Sequence, residues 1–308
     1  MIRTLTLIAM AFVALLTFQA PAHAAGEMKP FFLASKGAGS MEASVADATA
    51  KLQGAGFEVA GTYSPYKGAT VIIVTSDALK AAAAKTEFGA YGVVQRISVT
   101  EVNGEIQVSY TNPSYMAAAY RMDGNMADVT AALNTALGNQ GEFGPDKGLT
   151  DADLRDYHYA FLMEYFDDPS KLASYNDYAS AVAGVEAALA NNTAGVTKVA
   201  RVDVPGKEET YFAVGLSGDL NNNNEKFRAD EFIMGEIDFK ELRSTAHLPY
   251  EIVVSGDRVY ALYARFRIAI NFPDLSMMGD NSFMNIMASP EAIRKALTLA
   301  SGGEFKEK

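Results

Sequence analysis

Two stretches decide the architecture: Ser40–Gly54, SMEASVADATAKLQG, and Asp177–Ala190, DYASAVAGVEAALA. Ser40 and Asp177 are N-cap residues, whose side-chain oxygens satisfy amide groups left free in the first turn of a helix. Val45, Ala48 and Leu52 recur at spacings of three and four, and Val182, Val185 and Leu189 repeat that stripe. Every one of these residues lies 137 positions before its counterpart, cap included. A shared cap and a shared stripe at one offset indicate an internal duplication.

The correspondence extends outward. Pro30–Ser35 (PFFLAS) reads as a strand entering the first helix, and Tyr159–Phe166 (YAFLMEYF) as the strand entering the second. Tyr63-Ser64-Pro65 and Asp203-Val204-Pro205 are turns 140 positions apart, and Val71–Val74 and Tyr211–Val214 are apolar strands at the same offset. Two hairpins follow, one turning at Asn103-Gly104 and one at Ser255-Gly256; Asn-Gly favours the tight turn that matches strand twist. Helices over about 126–137 and 290–299 close the halves, and an alanine-rich helix occupies Asp77–Lys85 in the first. The expected fold class is therefore α+β: two tandem modules of strand, helix, four strands and helix, related by a pseudo-twofold. The expected boundaries are a first module over 25–138, a connection over 139–156, a second module over 157–303 and a charged tail over 304–308.

Composition narrows the function. The 308 residues carry 26 basic and 37 acidic groups, a net charge of -11. Such a surface repels phosphate backbones, so no nucleic-acid partner is expected. No cysteine is present, which excludes disulfides, thiolate metal sites and cysteine nucleophiles. Arg3, the apolar run Leu5–Phe18 and the small-x-small step Ala22-His23-Ala24 have the form of a signal peptide over 1–24, cleaved after Ala24. The run is shorter than the roughly 20 residues a spanning helix needs, so no transmembrane anchor is expected after processing. The reading is a periplasmic protein with 25 basic against 37 acidic groups, for a net charge of -12.

Leu248-Pro249-Tyr250-Glu251-Ile252-Val253-Val254, followed by Gly256, resembles the domain-of-unknown-function family 302, whose members have a Leu-Pro-Cys step leading into a valine-rich strand. Asn112-Pro113 is similar to a second step common there. The resemblance implies a TATA-binding-protein-like arrangement, in two diverged copies. Tyr250 stands where the family has cysteine, so no thiol role carries over, and the family has no established function to transfer.

Candidate site residues are few. His158 and His247 precede expected strands, and an imidazole pair beside Glu164, Asp167 or Asp168 would suit a metal or general acid–base work, against separate structural roles. Arg265 and Arg267, read on a strand, share one face beside Tyr263, with Arg121 as a counterpart in the first half; this grouping suits a small anionic ligand, against pairing with the surplus acids. Met277, Met278, Met284 and Met287 offer soft ligands for copper(I), against filling a core. Asp219, Asn221, Asn223 and Asp230 sit at calcium-loop spacings without the usual glycine or terminal glutamate. No cofactor is specified by these patterns. The leading expectation is a non-enzymatic protein binding a small ligand where the halves meet. A histidine- or metal-dependent hydrolase and an oligomeric assembly protein are the alternatives.

Overall fold

The computed structural model describes residues 26–307, so the expected signal peptide over 1–24 lies outside the described residues. The described chain is mixed α+β, with two antiparallel sheets and nine α-helices. Its first half runs β1 (Phe31–Gly37), α1 (Met41–Gly54), β2 (Glu58–Tyr63), β3 (Ala69–Thr75), α2 (Asp77–Lys85), β4 (Gln95–Val102), β5 (Glu105–Thr111), α3 (Pro113–Ala119) and α4 (Ala127–Leu137). Then come β6 (Glu142–Phe143) and α5 (Asp151–Arg155). The second half runs β7 (Ser170–Ser174), α6 (Tyr178–Ala190), β8 (Val196–Asp203), β9 (Glu209–Leu216), α7 (Asp230–Ile237), β10 (Tyr250–Ser255), β11 (Arg258–Ala261), α8 (Ala264–Asn271) and α9 (Ser289–Ala300).

The sheets are ordered β2-β3-β4-β5-β1-β6 and β8-β9-β10-β11-β7. Apart from β6, each strand of the first has its counterpart at the same place in the second. Irregularities match as well. The register jumps across Ala60 in β2 and across Val199 in β8, and across Ala34 in β1 and Leu172 in β7. Bulges bend and twist a strand locally, so both sheets curve at equivalent places.

The caps behave as their chemistry requires. Ser40 accepts from the Ala43 amide at 3.2 Å, and Asp177 from the Ser180 amide at 2.7 Å. Ala48 and Leu52 are buried, as are Val182, Val185 and Leu189. Strand alternation then sorts the sheet residues. In β4 and β5, Ile97, Val99, Ile106 and Val108 join the core beneath α1 and α4. Ser98, Thr100, Gln107, Ser109 and Thr111 lie on the opposite face, yet they too are buried. Residues 238–247 of the second half cover that polar face: Thr100 donates to the Thr245 hydroxyl at 2.9 Å, and the Gln107 amide to the Glu241 carbonyl at 2.8 Å. Ser98 and Ser109 satisfy each other at 2.8 Å.

Three expectations are corrected. Residues 159–166 form turns rather than a strand, with Phe161 and Leu162 each 85% exposed; the strand entering α6 is Ser170–Ser174. That position follows from carrying the 137-residue offset of the helices back to β1. Secondly, Arg265 and Arg267 lie on α8, not on a strand. Their segment alternates because the helix is buried along two stripes. Phe266 and Ile270 enter the core of the first half, while Ala264, Ile268 and Phe272 enter that of the second. Two stripes at i and i+4 interleave into an apparent period of two. Thirdly, α2 stands at Asp77–Lys85 as expected, but α7 interrupts the second run of strands as well, and α3 and α8 precede the closing helices.

Candidate functional site

A buried ionic cluster lies where the halves meet. Arg267, 1% exposed, directs Nε at both Glu251 oxygens, 2.8 and 2.9 Å away, and its Nη2 donates to the carbonyls of His247 and Pro249 at 2.8 and 2.5 Å. Nη1 stands 3.1 Å from His247 Nε2, and the guanidinium lies over the Tyr250 ring at 4.1 Å. Arg96 of β4 reaches Glu251 from the first half at 3.6 Å. Burial opposes the charge of Arg267, but Glu251 and Tyr250 outweigh it and raise its pKa above the ordinary arginine value. His247 is fully buried, and burial followed by the charges of Arg267 and Arg96 drives its pKa well below 6.5. It is neutral, edge-on to Tyr250 and Phe272. Arg267, Glu251 and His247 are buried against one another and only the Tyr250 hydroxyl lacks a partner among them, so the cluster joins the halves rather than presenting a surface to a ligand.

An open cleft adjoins it. Tyr66, Lys67, Thr100 and Glu101 from the first half, with Glu231, Met234, Asp238 and Arg243 from the second, line a hollow of about 380 Å³. Lys67 lies in the turn from β2 to β3. Its counterpart Lys207 pairs with Glu209 at 2.9 Å, whereas the residue matching Glu209 is Ala69, so Lys67 has no such carboxylate. Arg243 is positioned through its backbone, whose amide donates to Gln107 at 3.0 Å, and through its guanidinium, which donates to the Asp238 carbonyl. Asp238 follows the last turn of α7. Its Oδ1 accepts from the Ser244 amide at 2.8 Å, while Oδ2 is buried without a protein partner. Burial raises this carboxyl to about 7, against the pull of the Ser244 amide and of Arg243. Near neutral pH the cleft therefore holds a carboxyl that changes between donor and acceptor, next to a fixed positive charge.

The remaining sequence candidates lie elsewhere. Arg265 forms a two-pronged ion pair with Glu164 and sits over the Tyr263 ring at 4.9 Å. Arg121, in the left-handed region at φ 49°, pairs with Asp167 at 2.8 Å. Glu164, Asp167 and Tyr263 border a second hollow of about 520 Å³ with Lys171 and Arg294. There the arginines are matched to acids, and no buried polar atom without a partner joins them. His158 packs on Tyr165, with ring centroids 4.5 Å apart, and Nδ1 lies 3.4 Å from the Asp156 carbonyl. His247 thus shares Arg267 but none of the contacts of His158. Asp230, from the calcium-like spacing, is buried and accepts from Tyr63 at 2.7 Å and from the Leu216 amide at 3.0 Å.

Sequence reasoning missed Tyr66, Lys67, Asp238 and Arg243. The exchange of Glu209 for Ala69 at the 140-residue offset is the one signal that singles out Lys67. Asp238 carries none, because its burial follows from how the second half folds over β4. No family model, no curated protein and no solved structure matches the chain.

Proposed function

We propose that this chain is an exported, non-enzymatic binding protein of two tandem modules, similar in arrangement to the TATA-binding-protein-like fold and to family 302. In this reading it takes a small anionic ligand in the cleft between its halves. Residues 1–24 would direct it to the periplasm. The observation that carries the reading is a cleft walled by Lys67, Arg243 and Asp238, the last with a buried Oδ2 that has no protein partner. Leaving a buried polar atom unsatisfied costs on the order of 1–3 kcal/mol, and a ligand supplying the missing partner recovers it. Arg243 and Lys67 suit a carboxylate or phosphate. Below about pH 7 the protonated Asp238 donates to the same ligand.

The test is a thermal-shift panel of small carboxylates, phosphates and zwitterionic amino acids on the mature chain. A ligand that binds only the folded state stabilises it by RT ln(1 + L/Kd), where L is the free ligand concentration, so the shift grows with that concentration. At least one class raises the melting temperature, and Lys67→Gln with Arg243→Gln removes the rise. A rise that survives both changes, or none with any class, contradicts the assignment.

A further inference from the structure

The segment between α8 and α9 exposes four thioethers in eleven residues. Met277, Met278, Met284 and Met287 are 45%, 72%, 48% and 61% exposed. Methionine normally fills cores, as Met116, Met122, Met126 and Met234 do here at 1–6% exposure. The helical spacing of Met284 and Met287 would have suited a core too, but their short 3-10 turn, Phe283–Ile286, buries only Ile286.

The segment is also held in shape. The Phe283 amide donates to the Ser276 carbonyl at 2.8 Å and the Met284 amide to the Met277 carbonyl at 3.2 Å, which brings the two ends of the methionine run together. Ser276 Oγ donates to the Met278 carbonyl at 2.8 Å, and Ser282 Oγ to the Gly279 carbonyl at 2.8 Å. Asn281 and Asn285 tie the segment to Glu236 on α7 at 3.0 and 2.9 Å. A backbone fixed at both ends lowers the conformational cost of gathering flexible side chains around an ion.

We propose that this segment is a thioether site for a soft monovalent cation of the copper(I) class, with Met277, Met284 and Met287 as ligands and Met278 at its edge. Thioethers are neutral, soft donors that select copper(I) or silver(I) over zinc or calcium. In a chain without cysteine they are the soft sulfur available, and the net charge of -11 favours a cation. The ion binds as supplied, with no change of oxidation state and no proton released.

The test is anaerobic titration of the mature chain with copper(I), delivered as its acetonitrile complex and competed against a chromophoric copper(I) chelator, and separately with silver(I). Methyl spectra of protein labelled at the methionine Cε are recorded alongside. One ion per chain is expected, with the methyl signals of Met277, Met284 and Met287 moving while those of Met116 and Met234 stay still. Met277→Leu, Met284→Leu and Met287→Leu together weaken binding by about tenfold or more, whereas Met163→Leu leaves it unchanged. The three ligand side chains are exposed and Met163 is half-buried, and circular dichroism confirms that the variants fold. Absence of binding by the wild-type chain overturns the proposal. Equal affinity in the triple variant, or equal affinity for zinc, overturns it as well, by placing the ion on Glu236, Asp274 or Asp280.

Discussion

Arg96 and Glu251 hold matching positions in the two sheets, and their side chains meet 3.6 Å apart. Arg96 pairs across the ladder with Ile73, and Glu251 with Ala213; Ile73 and Ala213 are themselves 140 positions apart in the matched strands. The pair therefore straddles the line about which one half maps onto the other. At that line a residue faces its own counterpart, and two identical charges would repel. Arginine on one side and glutamate on the other make the meeting point an attraction, and Arg267 completes it.

Removing the middle charge tests this arrangement. Glu251→Gln leaves two buried guanidinium groups without a carboxylate, and truncating one partner of a buried pair costs about 3–5 kcal/mol. Urea unfolding should show that loss. Replacing Arg96, Glu251 and Arg267 together by methionine, leucine and methionine should cost much less, because no charge remains stranded. A mild Glu251→Gln variant would mean that the cluster does not hold the halves together.

Stability should depend on pH through two aspartates. Asp230 and Asp238 are raised to about 7 by burial, from an ordinary value of 3.8. Between these values the folded chain binds more protons than the unfolded one, so their contribution is largest at low pH and is lost as pH rises from about 4 to about 7. Each is worth on the order of a few kcal/mol. His247 acts in the opposite sense. It stays neutral while its unfolded counterpart takes a proton, so it destabilises as pH falls below 6.5. The double variant Asp230→Asn, Asp238→Asn isolates the first effect: wild type minus variant, followed by denaturant unfolding, should decline from pH 4 to 7 and then level off.

Close approach of the halves should be sensitive to a single methyl group. A Cβ on Gly61 of β2 would stand 2.3 Å from the Val199 carbonyl oxygen of β8. Backbone must shift to admit it, and overpacking of this kind costs about 1–3 kcal/mol. Gly54→Ala, where a Cβ meets nothing within 4 Å, serves as the control and should leave the melting temperature unchanged or slightly raised.

Ligand affinity should follow Asp238. Its protonated form donates and its ionised form repels an anion, so binding of a small carboxylate or phosphate weakens as pH rises through about 7. Asp238→Asn retains a donor at all pH values, and calorimetric titration should give a flatter profile.

Local chemistry made part of this molecule legible. Ser40 and Asp177, with the stripes behind them, locate α1 and α6, and Asn103-Gly104 locates the hairpin of β4 and β5, both residues adopting the positive φ this turn requires. Long-range contacts hid the rest. Thr100 and Gln107 have the alternation of a solvated face, but Thr245 and Glu241 of the second half cover them. Arg267 looks like a surface arginine until Glu251 is placed against it by the packing of α8 on β10. The cleft has the same origin: Lys67 and Arg243 are 176 positions apart and meet around one hollow because the two sheets close on each other.

Native mass spectrometry of the chain, purified gently and then mixed with the panel of small anions, tests the central claim most directly. The account predicts retention of one small molecule per chain, lost in the Lys67→Gln, Arg243→Gln variant. A chain that retains nothing, or a variant that retains the same mass as the wild type, contradicts it.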